Sequence, residues 1–248
     1  MMSELSGVSA LVTGATSGIG RAVAVALARL GANVGVSGRD EMRGKQVVDG
    51  IMALGGRAEF LAADLSDAAS ARLLADRAIE RLGRVDVLVN NAAIYPPGPT
   101  EGMTDTDFDA VFGLNVKAPF FLVARLAPEM AERGHGVIIN VTSMVAEFGF
   151  VGLSLYGASK AALVLLTKAW AAEYGPRGVR VNAVSPGPTR TEGTAAYGDV
   201  LEQLAATAPA KRPATAEEIA EAVVFLATDR SSFVHGAVLP ADGGRTAV

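Results

Sequence analysis

The stretch "VSALVTGATSGIGRAVAVALARLG", residues 8–31, decides how the rest of the chain is read. Its first part, "VSALVTG" (8–14), is a short apolar run of the kind that forms a strand covered on both faces. Its last part, "GIGRAVAVALARLG" (18–31), repeats apolar residues at helical spacing and stops at Gly31. Between them lies Thr13-Gly14-x-x-x-Gly18-Ile19-Gly20, with Ser17 before the second glycine. In such a strand-to-helix turn Gly14 permits the tight bend, Gly18 lets the backbone approach a diphosphate, and Gly20 lets helix and strand pack closely. The first helical amides lack backbone partners and favour an anion. Three glycines mean little in a chain that has 28. The full string, however, is expected by chance only roughly 0.0005 times at this composition.

The same alternation continues along the chain. "ANVGVSG" (32–38), "RAEFLAAD" (57–64), "VDVLVNN" (85–91), "GVIINVTS" (136–143), "VRVNAVSP" (179–186) and "GAVLPADGG" (236–244) read as further strands. "SDAASARLLADRAIERLG" (66–83) reads as a helix with Ser66 as its N-cap and Gly83 as its stop. Later helices are expected over 104–133, 155–175 and 215–228. This pattern predicts an α/β fold: a Rossmann-type doubly wound parallel sheet of about seven strands with helices on both faces. No linker, repeat or low-complexity tract interrupts it, so residues 1–248 are expected to form one domain. Ligands of such sheets bind beyond the carboxyl ends of the strands, at the switch point of strand order.

Composition narrows the function classes. The chain has 50% hydrophobic and 19% charged residues and a formal net charge of −4. No block of like charge suggests a nucleic-acid or anionic-membrane surface. There is no cysteine, hence no disulfide, thiol nucleophile or thiolate metal site. The two histidines, His135 and His235, are too isolated to build a metal site, so none is expected. His135, between glycines, reads as a surface turn residue. The start lacks a secretory pattern, and no run of about 18 apolar residues is present. A cytoplasmic protein with no membrane partner is expected.

A second short stretch carries chemistry. "SLYGASKAAL" (154–163) places Lys160 one helical turn after Tyr156, on the same helix face. Tyrosine is a useful acid near neutrality only if its pKa falls from about 10, and a cationic lysine beside it does that.

Taken in order, these motifs resemble the short-chain dehydrogenase/reductase family over essentially the whole chain. The glycine loop has the family's spacing, and "NNAA" (90–93) stands where the family carries Asn-Asn-Ala-Gly, with Ala93 replacing the last glycine. "LNV" (114–116), "VTS" (141–143), Tyr156, Lys160 and "SPG" (185–187) follow at the family's distances. The resemblance implies a nicotinamide-dependent oxidoreductase acting on a carbonyl or secondary alcohol. In it Tyr156 exchanges the proton and Lys160 lowers the tyrosine pKa and holds the nicotinamide ribose. Ser143 binds the substrate oxygen, and Asn115 anchors a water of the proton relay. It also implies cofactor contacts from Gly14, Ser17, Gly18, Ile19, Gly20, Asp64, Leu65, Asn91, Ala92, Pro186, Gly187 and Thr189.

The second strand ends "VSGRD" (36–40), with Gly38 where an NAD enzyme usually offers a carboxylate to the ribose diol. Arg39 resembles the NADP-preferring members, where a guanidinium pairs with the 2′-phosphate. NADP(H) is therefore favoured over NAD(H). Asp40 complicates this: it can neutralise Arg39, approach the ribose, or cap the next helix.

Substrate selectivity falls to the loops after strands four, five and six. Met144, Val145, Phe148 and Phe150 suggest an apolar wall, Tyr95 and Tyr197 are candidates to line the pocket, and 187–209 reads as a substrate lid. The expected substrate is a small, mostly apolar ketone or its alcohol. The subgroup resemblance also admits a 3-oxoacyl-carrier-protein reductase or a sugar, polyol or steroid dehydrogenase. Arg133 offers a basic docking contact for a carrier protein, but Ala171 and Ala172 do not. A different class, a non-catalytic dinucleotide sensor, would show damage to the Ser–Tyr–Lys set, and none is seen. The resemblance further implies a homotetramer built through 104–133 and 155–175. Trp170 is expected in the core or at that interface.

Overall fold

The computed structural model describes residues 4–248. β1 (Ser9–Val12) leads into α1 (Gly18–Arg29), and β2 (Asn33–Gly38), α2 (Glu41–Ala53), β3 (Arg57–Ala62) and α3 (Ala68–Leu82) follow. After β4 (Val87–Asn90) come α4 (Asp105–Phe112), a π-helical turn (Gly113–Lys117) and α5 (Ala118–Glu132). β5 (Gly136–Val141), α6 (Ser154–Tyr174) and β6 (Val179–Pro186) complete the second half of the sheet up to its last strand. The segment after β6 holds β7 (Thr189–Arg190), a 3₁₀ helix (Glu192–Tyr197), α7 (Asp199–Ala205) and β8 (Ala214–Thr215). α8 (Ala216–Ala227) and β9 (Val238–Ala241) close the chain.

Seven strands form one parallel sheet in the order β3-β2-β1-β4-β5-β6-β9, the doubly wound architecture expected from the alternation. The order reverses between β1 and β4, so the loops after these two strands diverge and leave a cleft. β7 and β8 pair separately, Thr189 with Ala214 and Arg190 with Thr215, which ties both ends of the 189–215 segment together.

Both faces of the sheet are covered. Val23 and Leu27 of α1 pack with Ile219 and Val223 of α8 on one face. Leu74 of α3, Leu122 and Leu126 of α5 and Trp170 of α6 pack on the other. Each such leucine contributes about 1.5–3 kcal/mol by burial, and this is why the strands read as continuous apolar runs.

Two local expectations change. The N-cap of α3 is Asp67, one residue after the expected Ser66. The Asp67 carboxylate accepts from Ser70 N–H at 2.7 Å while Ser70 Oγ accepts from Asp67 N–H; an anionic acceptor also suits the helix N-terminus. The single helix expected over 104–133 is interrupted by the π turn, which widens the helix at Asn115. The run Asp105–Glu132 is long and apolar enough by composition to cross a membrane, but half of its most apolar window is buried inside the protein.

Candidate active site

A cleft of about 840 Å³ opens over the carboxyl ends of β1, β4, β5 and β6. At its floor the glycine loop is shaped by its own backbone. Gly14 and Gly18 have φ of +62° and +53°, values that suit residues without a Cβ. At Gly20 a Cβ would stand 2.2 Å from the Gly14 carbonyl oxygen, so helix and strand approach only because nothing is there. Thr13 and Asn91 bolt the loop to β4. Thr13 Oγ1 accepts from the N–H groups of Asn91 and Ala92 at 3.0 and 3.1 Å. Asn91 Nδ2 donates to the carbonyls of Thr13 and Gly14 at 2.9 and 3.1 Å. The loop already binds one anionic oxygen: Gly18 N–H donates to Glu192 Oε2 at 2.9 Å. A donor set that takes a carboxylate fits the diphosphate of a dinucleotide.

Beyond the loop the cleft is lined by Thr16, Ser17, Ile19, Ser37, Gly38, Arg39, Asp64 and Leu65. A Cβ at Gly38 would come within 2.6 Å of the Thr16 side chain, so Thr16 fills the space where a strand-end carboxylate would begin. Asp40 caps α2, accepting from Arg43 N–H at 3.0 Å and pairing with the Arg43 guanidinium at 3.4 Å. The alternatives in which Asp40 neutralises Arg39 or turns to the ribose are thereby replaced by the capping one. Ser37 Oγ is buried without a hydrogen-bond partner among the described residues and belongs to a residue lining the cleft.

At the other end Ser143, Tyr156 and Lys160 line the cleft together. Ser143 follows the end of β5 and starts a 3₁₀ turn. Tyr156 and Lys160 share one face of α6. Burial pushes the Tyr156 phenol up to about 12, with the Ser143 hydroxyl pulling against it. Burial brings Lys160 down to about 7. Lys160 Nζ donates to the Val141 carbonyl at 2.8 Å and stands 5.7 Å from the centre of the Tyr156 ring. Burial here works against the lysine-depressed tyrosine that spacing suggests, because each group has lost the solvent that supports its charged form. Asn115 lies outside the cleft lining and is fully buried. Its Oδ1 accepts from Ile94 N–H at 3.0 Å, and its Nδ2 donates to Ile94 O at 2.9 Å and Ser159 Oγ at 3.0 Å. Ser159 Oγ in turn donates to Tyr156 O at 2.7 Å. The Asn115 amide thus joins the Ile94 backbone to the Ser159–Tyr156 turn of α6.

Pro186, Gly187 and Thr189 also line the cleft, and Thr189 Oγ1 donates to Gly187 O at 2.9 Å. Tyr95, Val145, Phe150 and Tyr197, the candidates for the substrate pocket, also line the cleft. The Tyr95 ring lies 5.7 Å from that of Tyr156 and 6.4 Å from that of Tyr197. Tyr95 Oη donates to Gly193 O at 2.9 Å. Phe148 does not join the wall; its ring faces the Arg245 guanidinium at 4.8 Å. The charged residues of the lining are Arg39, Asp64 and Lys160. Sequence reasoning missed Thr16, Ser37 and Glu192, and read no role for Thr13. Only Thr13 and Thr16 carried a signal, as members of the glycine motif.

The family description "Enoyl-(Acyl carrier protein) reductase" matches residues 14–246. A solved "short chain dehydrogenase/reductase family protein" is 51% identical, with a TM-score of 0.91 over 99% of this chain and 100% of that one. The chain belongs to the short-chain dehydrogenase/reductase family. As a member it is an NAD(P)-dependent oxidoreductase acting on alcohol or carbonyl groups. The 7alpha-hydroxysteroid dehydrogenase of Escherichia coli (strain K12) is 37% identical over 97% of this chain and 95% of its own length. A short chain dehydrogenase from Burkholderia cenocepacia J2315, solved in complex with NADP, is 36% identical, with a TM-score of 0.92 over 98% and 99% of the two chains. Within this short-chain dehydrogenase/reductase the glycine loop and the Ser–Tyr–Lys group line one continuous cleft.

Proposed function

We propose that this protein reduces a neutral, apolar carbonyl compound, or oxidises the matching alcohol, with NADP(H) as cofactor and Tyr156 as the proton donor and acceptor. The observation that carries the reading is the Tyr156 phenol set between Ser143 and an aromatic wall without charge. When bound, the nicotinamide supplies or accepts the hydride. Tyr156 is protonated at neutral pH, so it is ready to give its proton to a carbonyl oxygen. The Ser143 hydroxyl donates to the same oxygen and holds it in reach. Lys160, with a pKa near 7, is neutral in part of the molecules and can pass a proton to and from the phenol side of the cleft. Asn115 is a positioning residue: through Ser159 it fixes the backbone of Tyr156, and through Ile94 the loop that carries Tyr95.

The NADP preference is supported by Arg39, by Gly38 in place of a carboxylate, and by the unpartnered Ser37 hydroxyl beside them. The NADP complex of the Burkholderia relative agrees with it. The remaining cofactor contacts are proposed at Gly14, Ser17, Gly18, Ile19, Gly20, Asp64, Leu65, Asn91, Ala92, Pro186, Gly187 and Thr189. The steroid-dehydrogenase alternative suits the apolar wall. A sugar acid would need a cationic partner that the wall lacks. The carrier-protein alternative keeps Arg133 as an exposed basic contact, although that side chain also donates to the Val85 carbonyl at 2.8 Å. We also propose a homotetramer in the cytoplasm, with no nucleic-acid or membrane partner. An apolar groove of Phe112, Val116, Phe120, Leu165 and Leu166 between α4–α5 and α6 offers the contact. Leu165 there is 67% exposed.

Two measurements test the reading. Fluorescence titration with NADPH and NADH is expected to show at least about tenfold tighter NADPH binding; tighter NADH binding would reject Arg39 as the phosphate reader. A panel of neutral ketones against keto acids and polyol-derived ketones, followed by NADPH consumption, is expected to favour the neutral apolar members. Tight cofactor binding with no turnover across the panel would point to a sensor.

A further inference from the structure

The segment after β6 lies against the glycine loop, and its contact there is ionic. Thr191 N–H donates to Thr194 Oγ1 at 2.9 Å, and Thr194 N–H donates to Thr191 Oγ1 at 3.3 Å. This reciprocal cap starts the 3₁₀ helix and aims the Glu192 side chain at α1. There Glu192 Oε2 accepts from Gly18 N–H at 2.9 Å, and Oε1 stands 2.7 Å from Arg21 Nη1. Thr191 covers Gly18 so closely that a Cβ on that glycine would lie 3.2 Å from Thr191 Cβ. Tyr95 secures the far side of the same helix through its bond to Gly193 O. Burial pushes the Glu192 carboxyl up, but backbone donors, Gly18 N–H among them, and the Arg21 charge hold it below the usual carboxylate range. It is therefore an anion at neutral pH.

We infer that Glu192 is a built-in competitor of the cofactor diphosphate, so that the diphosphate takes the Gly18 amide only as the carboxylate gives it up. The inference rests on the dinucleotide reading above and adds a residue that sets the affinity. Gly18 is the glycine at which the backbone meets the diphosphate, and its amide has one strong direction for an acceptor. A carboxylate and a diphosphate cannot share it without like-charge repulsion. The carboxylate must leave, by rotation of its own side chain or with a shift of the 3₁₀ helix that carries it. Free protein thus keeps this amide occupied, and the cofactor displaces the carboxylate as it enters. A bare surface ion pair with Arg21 would contribute little either way; it is the occupied amide that makes the contact competitive.

The experiment is NADPH titration by fluorescence of four purified proteins: wild type, Glu192→Ala, Arg21→Ala and the double variant. Glu192→Ala is expected to bind NADPH about fivefold more tightly, equivalent to about 1 kcal/mol. The double variant is expected to bind about threefold more tightly than Arg21→Ala, which excludes a newly bared Arg21 as the cause. Trypsin, without cofactor, is expected to cut after Arg190 faster in Glu192→Ala than in wild type, because the segment is no longer held. Unchanged or weaker NADPH binding by Glu192→Ala overturns the inference, as does a gain that vanishes in the double variant; the dinucleotide reading then stands. If wild type binds neither NADPH nor NADH, that reading fails and the inference fails with it.

Discussion

At the glycine-loop end of the cleft, Thr13, Gly14 and Asn91 hold one another through backbone groups, whereas at the substrate end Tyr95, Tyr156 and Tyr197 meet ring to ring from three separate segments. The first arrangement depends on atoms that are absent, such as the Cβ that Gly20 lacks. The second depends on side chains that happen to converge. A change at the loop strikes fold and cofactor together. A change at the rings leaves the sheet intact and alters only what is bound and transformed. Selectivity can therefore be rebuilt at one end without disturbing the other.

Four substitutions break or sharpen that contrast. Tyr156→Phe removes only a proton at the ring end: kcat is expected to fall by about 10³-fold while NADPH affinity stays within about twofold. A loss under tenfold in single-turnover assays would remove Tyr156 as the donor. Lys160→Met tests the cost of burying an amine. The folded pKa of Lys160 is about 7 against an ordinary 10.5. Between these values the unfolded chain binds more protons, so the wild-type fold gains stability as pH rises through the window. Relative to Lys160→Met, wild type is expected to gain about 2–3 kcal/mol between pH 7 and 9.5 in urea unfolding; parallel pH profiles would show that Lys160 titrates normally. At the loop end, Arg39→Ala is expected to weaken NADPH by about 10- to 100-fold and NADH by less than about twofold. Equal losses for the two cofactors would make Arg39 a structural residue. The smallest effect belongs to Tyr95→Phe, which frees Gly193 O from its hydroxyl partner. KM for the carbonyl substrate is expected to rise about fivefold with little change in kcat. A fall in kcat without a change in KM would place Tyr95 in the chemistry instead.

The glycine loop, the strand–helix alternation and the positions of Ser143, Tyr156 and Lys160 were legible because each rests on local spacing: a period, a turn, one helical repeat. Asn115 was legible as a misfit in a helix and not in its partners, since Ile94 and Ser159 stand 21 and 44 residues away. Phe148 read as pocket wall, yet it turned to Arg245, a choice made by the C-terminal segment. Burial likewise acts on the Tyr156–Lys160 pair, pushing the phenol up and the amine down. Spacing brings the two together, but burial sets their pKa values, and burial is a property of everything packed around them.

The sequence by itself determined the parallel α/β sheet, the anion-binding turn after β1 and the family, because backbone geometry and side-chain periodicity act over a few residues at a time. Only the tertiary structure decided that Asp40 caps a helix, that Thr16 occupies the space beside Gly38, and that Glu192 reaches back 174 residues to the amide of Gly18. Such contacts join segments whose separation along the chain carries no periodic signal, so they exist only once the strands are ordered and the loops meet above them.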